Sequence, residues 1–185
     1  MTNVLIIHGS YGHPKENWFP WLKSELEKLD CNVFVPKFPT PKNQKLDTWL
    51  KVIKDYDQYL DKRSIVVGHS MGCALILRKL ELSKTLVKSV FLVGGFTKDL
   101  WNGKYSKIID TFFAKPFDWK EIKQKTKNFV IYQSDNDPLV PISMGKEIAK
   151  NLKGELIIVK NAGHFNEESG YKKFEALLEK IKEGL

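Results

Sequence analysis

Six short apolar runs, most of them rich in valine and isoleucine, constrain the fold of this 185-residue chain more than any other feature. The runs are apolar at consecutive positions rather than at alternate ones, so both faces of each strand would be buried. A parallel sheet covered by helices on both sides has this property. The runs lie at Val4–Ile7, Asn32–Val35, Ser64–Val67, Val90–Val93, Phe129–Tyr132 and Leu156–Val159.

The segments between these runs have apolar residues at the spacing of amphipathic helices. The first begins after Asn17, a residue suited to cap a helix N-terminus. Strand and helix therefore alternate, which predicts an α/β fold: a mostly parallel six-stranded sheet with helices on both faces. The length and the absence of a linker indicate one domain spanning residues 1–185.

The sequence carries no signal for export or membrane insertion. No apolar run approaches the ~20 residues of a membrane-spanning helix, and the segment after Met1 lacks the basic and apolar regions of a signal peptide. Cys31 and Cys73 form neither a disulfide framework nor a zinc motif, which indicates free thiols in a reducing compartment. We therefore expect a cytoplasmic protein that does not bind membranes.

The formal net charge of +8 raises the question of nucleic-acid binding. Nearly all the basic residues are lysines, whereas bidentate recognition of phosphate or guanine favours arginine, which occurs only at Arg63 and Arg78. The lysines are also spread along the chain among acidic residues. We interpret the charge as a solvated surface and expect no nucleic-acid partner.

The connection between the fourth and fifth runs, Phe96–Lys127, is too long for a simple crossover. A capping box at Asp118–Glu121 predicts that a helix begins there. Insertions at the carboxyl ends of α/β strands often form lids, and we predict a small lid in residues 96–127. Its aromatic residues could instead only pack the segment onto the sheet, and both interpretations stay open. They are Trp101, Tyr105, Phe112, Phe113, Phe117 and Trp119.

The pentapeptide Gly68–Gly72 has the pattern G-x-S-x-G, centred on Ser70. It follows an apolar strand and precedes a helical segment, which is the setting of a nucleophile elbow. An ordinary glycine-rich turn is the alternative. In the elbow, the strained turn projects the serine hydroxyl above the sheet, where the helix N-terminus favours a developing anion.

A serine hydroxyl needs a base to take its proton, and the chain offers four histidines. In α/β-hydrolases the order along the chain is nucleophile, acid, histidine, and only His164 follows both Ser70 and a suitable acid. The other three, His8, His13 and His69, precede the serine.

The acid is expected directly after the fifth run, where Asp135 and Asp137 both qualify by position. The pattern D-x-x-V-P selects Asp137, which would orient the imidazole and stabilise its cation. For Asp135 we expect a turn residue that binds its own backbone.

An oxyanion hole requires two main-chain N–H donors. One is expected at Met71, after the nucleophile, and the other in the loop after the first strand. Within that loop Ser10 is our first choice and Tyr11 the second. Its glycines form no nucleotide-binding motif, so we do not expect a phosphate site there.

Together these motifs resemble the YdeN-like small serine hydrolases, which belong to the α/β-hydrolase superfamily and are related to retinoblastoma-binding protein. The resemblance covers nearly the whole chain, and the combination of blocks is specific although each alone is not. The blocks are Ile6–Gly9, Asn17–Leu22, Asp47–Leu50, Gly68–Cys73, Val93–Phe96, Phe117–Trp119, Ser134–Pro141 and Gly163–Phe165.

The resemblance implies a reduced α/β-hydrolase core that lacks the first antiparallel strands of larger members. It also implies esterase-like or amidase-like activity, with Ser70, Asp137 and His164 as the triad. The retinoblastoma-binding name rests on an L-x-C-x-E motif, in which Val33 replaces the acid here. We therefore expect no partner of the retinoblastoma type.

These observations predict a carboxylesterase-like serine hydrolase that cleaves a small ester or amide through an acyl-enzyme, without a metal or cofactor. A protein-binding module that keeps the fold without turnover is the alternative, because fold alone does not fix function. As candidates for lining the substrate pocket we take Tyr11, Phe113, Phe117 and Trp119. The physiological substrate, the preference for ester or amide, the oligomeric state and the mobility of the lid are left open.

Overall fold

A single parallel sheet of six strands forms the centre of the computed structural model, which describes residues 1–100 and 106–185. The strand order is β2-β1-β3-β4-β5-β6, and every neighbouring pair is parallel. The predicted α/β fold is confirmed, and each strand overlaps its predicted run. The strands are β1 Thr2–Ile7, β2 Cys31–Phe34, β3 Ile65–His69, β4 Ser89–Val93, β5 Phe129–Ser134 and β6 Glu155–Val159.

Helices cover both faces of the sheet in the described part of the chain. The first and last helices bury one set of apolar residues against one face, and the other five bury a second set against the opposite face. These two cores are the reason that the central strands are apolar at every position. The helices are α1 Phe19–Glu27, α2 Leu46–Lys54, α3 Met71–Leu82, α4 Ser106–Phe113, α5 Trp119–Lys123, α6 Ile142–Leu152 and α7 Glu175–Lys182.

The carboxyl ends of the central strands meet at one edge of the sheet. Ile7 is in register with Gly68, and His69 is in register with Val93. The loops that follow β1, β3, β4, β5 and β6 therefore converge on the edge where open α/β sheets bind ligands.

The N-terminus of α1 differs from the sequence prediction. The residue at the cap position is Trp18, and no side chain caps the helix. Asn17 instead has a positive φ of 51°, and its Oδ1 accepts a hydrogen bond of 2.8 Å from the Glu167 main-chain N–H. The asparagine thus joins two loops at the sheet edge rather than starting the helix.

The long connection contains α4 and α5, and the predicted start of α5 is confirmed. Asp118 accepts a hydrogen bond of 3.0 Å from the Glu121 N–H, as an N-cap does. The Asp118 N–H donates to Glu81 of α3, at 2.8 Å, rather than to the Glu121 side chain. The aromatic residues Trp101 and Tyr105 lie outside the described residues.

Arg78 of α3 fastens this connection to the core. The side chain is 1% exposed, and its guanidinium donates to three main-chain oxygens, those of Phe112, Lys115 and Pro116. The carbon of the guanidinium also lies 3.8 Å from the centre of the Phe117 ring. One buried cation therefore satisfies the carbonyls where α4 ends.

Candidate active site

Ser70 occupies a strained turn between β3 and α3. Its backbone has φ 54° and ψ −122°, a conformation that residues with a side chain rarely adopt. The segment after Ser70 packs closely against β1, and this is possible because residue 72 is a glycine: a Cβ there would lie 2.4 Å from the Ile7 main-chain oxygen. The Ser70 N–H donates to the Val93 oxygen at 2.9 Å, which fixes the turn to β4. This is the geometry expected of a nucleophile elbow.

Asp137 and His164 are joined by a short hydrogen bond. His164 Nδ1 lies 2.7 Å from Asp137 Oδ2, and the two side chains are 7% and 0% exposed. The second carboxylate oxygen accepts from the N–H groups of Leu139 and Val140, at 2.8 and 3.0 Å. Because the carboxylate accepts at Nδ1, the hydrogen-bond network assigns the proton of neutral His164 to Nδ1 and leaves Nε2 free to accept.

Four consecutive side chains, from the last residue of β5 onwards, hold four consecutive residues after β6. Residues 134–137 each accept a hydrogen bond from one residue of 161–164, so that two loops are joined side by side. The bonds are Asn161 N to Asp135 Oδ1 at 2.8 Å, Ala162 N to Ser134 Oγ at 3.1 Å, Gly163 N to Asn136 Oδ1 at 2.8 Å, and His164 Nδ1 to Asp137 Oδ2 at 2.7 Å.

These bonds correct the role expected for Asp135. We expected Asp135 to bind its own turn, but its carboxylate accepts from the main chain of the other loop. Without Asp135 the Asn161 N–H of that loop would lack this acceptor. Satisfying it favours the bond between the loops over a bond within the turn.

His69 is buried between the elbow and the loop of His164. It is 4% exposed, and its Nε2 lies 2.8 Å from the His164 main-chain oxygen. Burial, and to a smaller extent the nearby His164, lowers the pKa of His69 to about 3. The ring is therefore neutral near pH 7.

The other two histidines lie in or next to the loop after β1, and neither ring is paired with Asp137. His8 accepts from the Phe38 N–H at Nε2, 3.1 Å away, so that Nδ1 donates to the Gly9 oxygen at 2.8 Å. Burial lowers the pKa of His8. His13 is exposed and accepts from the Lys15 N–H.

Of the two candidate oxyanion amides in the loop after β1, those of Ser10 and Tyr11, only one is without a protein acceptor in the described residues. Tyr11 N–H is already used, since it donates to Thr40 Oγ1 at 2.9 Å and to Gln44 Oε1 at 3.2 Å. In the described part of the chain, the amides of Ser10 and Met71 have no protein acceptor. Buried Gln44 also donates to Ser10 Oγ at 3.0 Å, which holds the loop in place.

A cavity of about 710 Å³ opens at the edge where these loops meet. Ser70 and His164 both line it, and so do Ser10 and the predicted pocket residue Tyr11. The remaining lining residues are Gly9, Glu16, Asn17, His69, Phe96, Leu139, Val140, Asn166, Glu167 and Glu168.

The three other predicted pocket residues lie elsewhere. Phe113, Phe117 and Trp119 are packed ring to ring, with centroids 6.3 and 5.4 Å apart, and they join the core beside α3. Phe117 lies against the buried guanidinium of Arg78, and Phe113 and Trp119 pack against Phe117, so the three rings gain apolar contact with the core instead of lining the cavity. Among the described residues of the long connection, Phe96 lines the cavity.

The sequence analysis missed the polar part of the cavity wall. Glu16 and Asn166 lie in loops, Glu167 and Glu168 lie in a short 3-10 helix, and none of the four belongs to a chemical motif. Only Asn17 gave a signal, because it stands in one of the blocks that carry the family resemblance, but its position was interpreted as a helix cap.

Neither thiol contributes a nucleophile to this site. Burial raises the pKa of both Cys31 and Cys73, which keeps the thiols protonated. Among residues 1–100 and 106–185, no three histidine, cysteine or acidic side chains lie together as metal ligands. The helices of the same ranges include none long and apolar enough to cross a bilayer.

Known proteins similar to this chain carry the name hydrolase, and one of them the name serine hydrolase. The family described as serine hydrolase matches residues 4–183. YdeN of Bacillus subtilis (strain 168) is 34% identical over 171 residues, which cover 91% of this chain and 88% of YdeN. The serine hydrolase RBBP9 of Rattus norvegicus is 26% identical over 167 residues, or 89% of this chain and 87% of that protein.

A solved structure extends the similarity to three dimensions. The crystal structure of the ydeN gene product from B. subtilis superposes with a TM-score of 0.92 at 30% identity and covers 99% of this chain and 98% of that one. The resemblance found in the sequence is thereby confirmed. The chain belongs to the serine hydrolase family and has the α/β-hydrolase fold.

Proposed function

We propose that this hydrolase cleaves a carboxylic ester or amide of a small substrate through an acyl-enzyme formed on Ser70. One observation carries the proposal: Ser70 lies in a strained turn and shares a cavity with His164, whose ring donates to the buried carboxylate of Asp137. Nucleophile, base and orienting acid are the three parts that serine-based acyl transfer needs.

In the first half of the proposed reaction, Ser70 Oγ attacks the substrate carbonyl while its proton passes to His164 Nε2. The N–H groups of Met71 and Ser10 then bind the oxyanion, a role that their lack of protein acceptors supports. When the intermediate collapses, the bond to the alcohol or amine breaks, and the leaving group takes the proton from His164.

In the second half, water attacks the acyl-enzyme. His164 accepts the proton of the water and returns it to Ser70 Oγ as the carboxylic acid leaves. Asp137 remains ionised throughout and stabilises the imidazolium that forms in each half. The complete reaction consumes only the substrate and one water molecule.

Covalent labelling tests the proposal directly. A fluorophosphonate should add once to the protein, and the adduct should map to the Gly68–Gly72 peptide. Ser70→Ala should abolish the adduct, whereas Ser83→Ala, at the other end of α3, should leave it unchanged. Labelling that survives in Ser70→Ala would contradict the assignment. Absence of both labelling and ester turnover would favour a non-catalytic binding module.

The proposed preference is for esters. A carboxylesterase-like enzyme should hydrolyse an activated acetate ester faster than the corresponding anilide, and turnover of both should require Ser70. A series of p-nitrophenyl esters of increasing acyl length would then identify the substrates that the cavity accepts. A faster reaction with the anilide would move the proposal to an amidase.

A further inference from the structure

His69 stands directly before Ser70 and contacts the loop that carries His164. The 2.8 Å contact joins His69 Nε2 to a main-chain carbonyl oxygen, which can only accept. Nε2 therefore carries the hydrogen and donates it. The centres of the His69 and His164 rings are 5.0 Å apart, so this bond is made beside the imidazole that is proposed to act as base.

The His69 ring has little freedom to move. The rings of Trp18 and Phe19 pack against it, with centroids 6.1 and 5.9 Å away. Trp18 also donates from Nε1 to the Phe165 oxygen at 3.0 Å, so the same aromatic group holds the residue after His164. Because burial keeps His69 neutral, it donates a hydrogen bond without placing a second positive charge beside His164.

The hydrogen bond from His69 Nε2 to the His164 oxygen joins the two segments of main chain that carry Ser70 and His164. On one side, the Ser70 N–H is bonded to Val93 of β4, at 2.9 Å. On the other side, the His164 N–H makes a long bond of 3.3 Å to Ser169 Oγ, while its oxygen is held by His69 at 2.8 Å. Asp137 fixes the direction of the imidazole, whereas the His69 contact fixes the backbone from which the imidazole extends.

We propose that His69 is a positioning residue whose Nε2–H, by holding the main-chain oxygen of His164, sets the distance between the Ser70 hydroxyl and the imidazole. The inference rests on the proposed roles of Ser70 and His164. It requires that loss of the hydrogen-bond donor impair proton transfer while substrate binding stays the same. A displacement of about 1 Å between reacting groups can cost about a hundredfold in rate.

A matched pair of variants separates the donor from the shape of the side chain. Glutamine and methionine are close in length, and only glutamine can place an N–H near the position of Nε2. We expect His69→Met to lower kcat on an activated ester by about tenfold to a hundredfold, with KM changed less than about twofold. His69→Gln should recover most of the lost kcat. Rates are to be normalised to active sites titrated with a fluorophosphonate, which removes any contribution from misfolded protein.

The outcomes distinguish this inference from the proposed function. If the wild-type protein neither labels nor turns over ester, the proposed function fails before His69 is tested. If the wild type is active and His69→Met has an equal kcat, His69 does not position the base. Equal losses in His69→Met and His69→Gln would also overturn the inference, because the ring shape rather than its N–H would then matter. A loss confined to KM would assign His69 to substrate binding.

Discussion

Asp137 and Asp135 are separated by one residue, and their carboxylates bind different parts of the same loop. Asp137 accepts from the His164 ring, whereas Asp135 accepts from a main-chain N–H. Asp137→Asn should therefore lower kcat by a large factor, on the order of 10⁴-fold in the best-studied triad, because the amide favours the wrong tautomer of His164. Steady-state kinetics on an activated ester would measure the loss.

Asp135→Asn is the matched control for this substitution. Asparagine keeps an oxygen that can accept from the Asn161 N–H, so we expect a change of less than about threefold in kcat. The reverse ranking of the two variants would transfer the role of acid to Asp135.

The buried, neutral His69 makes the free energy of unfolding of the protein depend on pH. The pKa of His69 falls from 6.5 to about 3 on folding, so between these values the unfolded chain binds a proton that the folded chain does not. The contribution of neutral His69 to the free energy of unfolding is therefore fully present above pH 6.5 and is lost as the pH falls towards 3. From pH 7 to pH 5, the contribution of His69 should decrease by about 2 kcal/mol.

Urea unfolding at pH 7 and pH 5, with wild type and His69→Gln in parallel, would measure this loss. The variant should lose less stability on acidification, because it lacks the titrating ring. His8, whose pKa burial also lowers, is present in both proteins and cancels in the comparison. Identical losses in the two proteins would contradict the prediction.

The end of α4 depends on Arg78 more than on its own helix propensity. Arg78→Met should lower the free energy of unfolding by about 3 kcal/mol, because it leaves the buried Phe112 carbonyl without a donor and the 10% exposed Glu81 carboxylate without its cation. Arg63 is the matched control, since its side chain is 65% exposed and its ion pair is with Asp61. Arg63→Met should cost less than about 1 kcal/mol. Chemical denaturation of both variants tests the difference, and similar losses would refute the anchoring role.

Phe96 is the aromatic residue of the long connection that we expect to influence acyl-chain preference. It lines the cavity, whereas Trp119 is packed beside α3. Phe96→Ala should shift the optimum of a p-nitrophenyl ester series towards longer acyl chains, because it enlarges the cavity. Trp119→Ala should leave the profile of chain lengths unchanged while lowering stability. A changed profile in Trp119→Ala and an unchanged one in Phe96→Ala would return Trp119 to the substrate pocket. That residues 96–127 form a lid stays a prediction.

The sequence predicted those elements whose pattern is repeated locally. The central strands were found because both of their faces are buried, whereas the edge strands β2 and β6 are partly exposed, contrary to the expectation for every run. The elbow was found because a strand, a glycine pair and a helix surround Ser70. Contacts between distant loops leave no such pattern. The hydrogen bond from Glu167 to Asn17 spans 150 positions, and the cation that attracts the Phe117 ring stands far earlier in the chain, at Arg78. Prediction therefore identified the proposed catalytic residues better than the walls around them.

The charge of the cavity differs from the charge of the whole molecule. The chain carries a net charge of +8, but the charged residues that line the cavity are Glu16, Glu167 and Glu168, with no lysine or arginine among the described lining residues. Lys172, 2.6 Å from Glu167, and the burial that raises the pKa of Glu16 weaken this negative charge, but they do not reverse its sign. The mouth of the cavity should therefore disfavour anions although the protein as a whole attracts them.

An ester with a carboxylate on its acyl chain should thus have a lower kcat/KM than a neutral ester of the same length, by about threefold to tenfold. The difference should shrink as ionic strength rises, because salt screens exposed charges. Glu168→Gln should reduce it as well. Equal rates for both esters at low salt would show that the three carboxylates do not act on the substrate.

That the protein does not bind nucleic acid stays a prediction.

The four hydrogen bonds between residues 134–137 and 161–164 have a consequence for the evolution and redesign of this protein. They pair the loops residue by residue, so deleting one residue between Ser134 and Asp137 would shift which side chain faces His164. Neither loop can change length without the other. The two stretches form a cassette that must be inherited, or grafted onto another scaffold, as a unit.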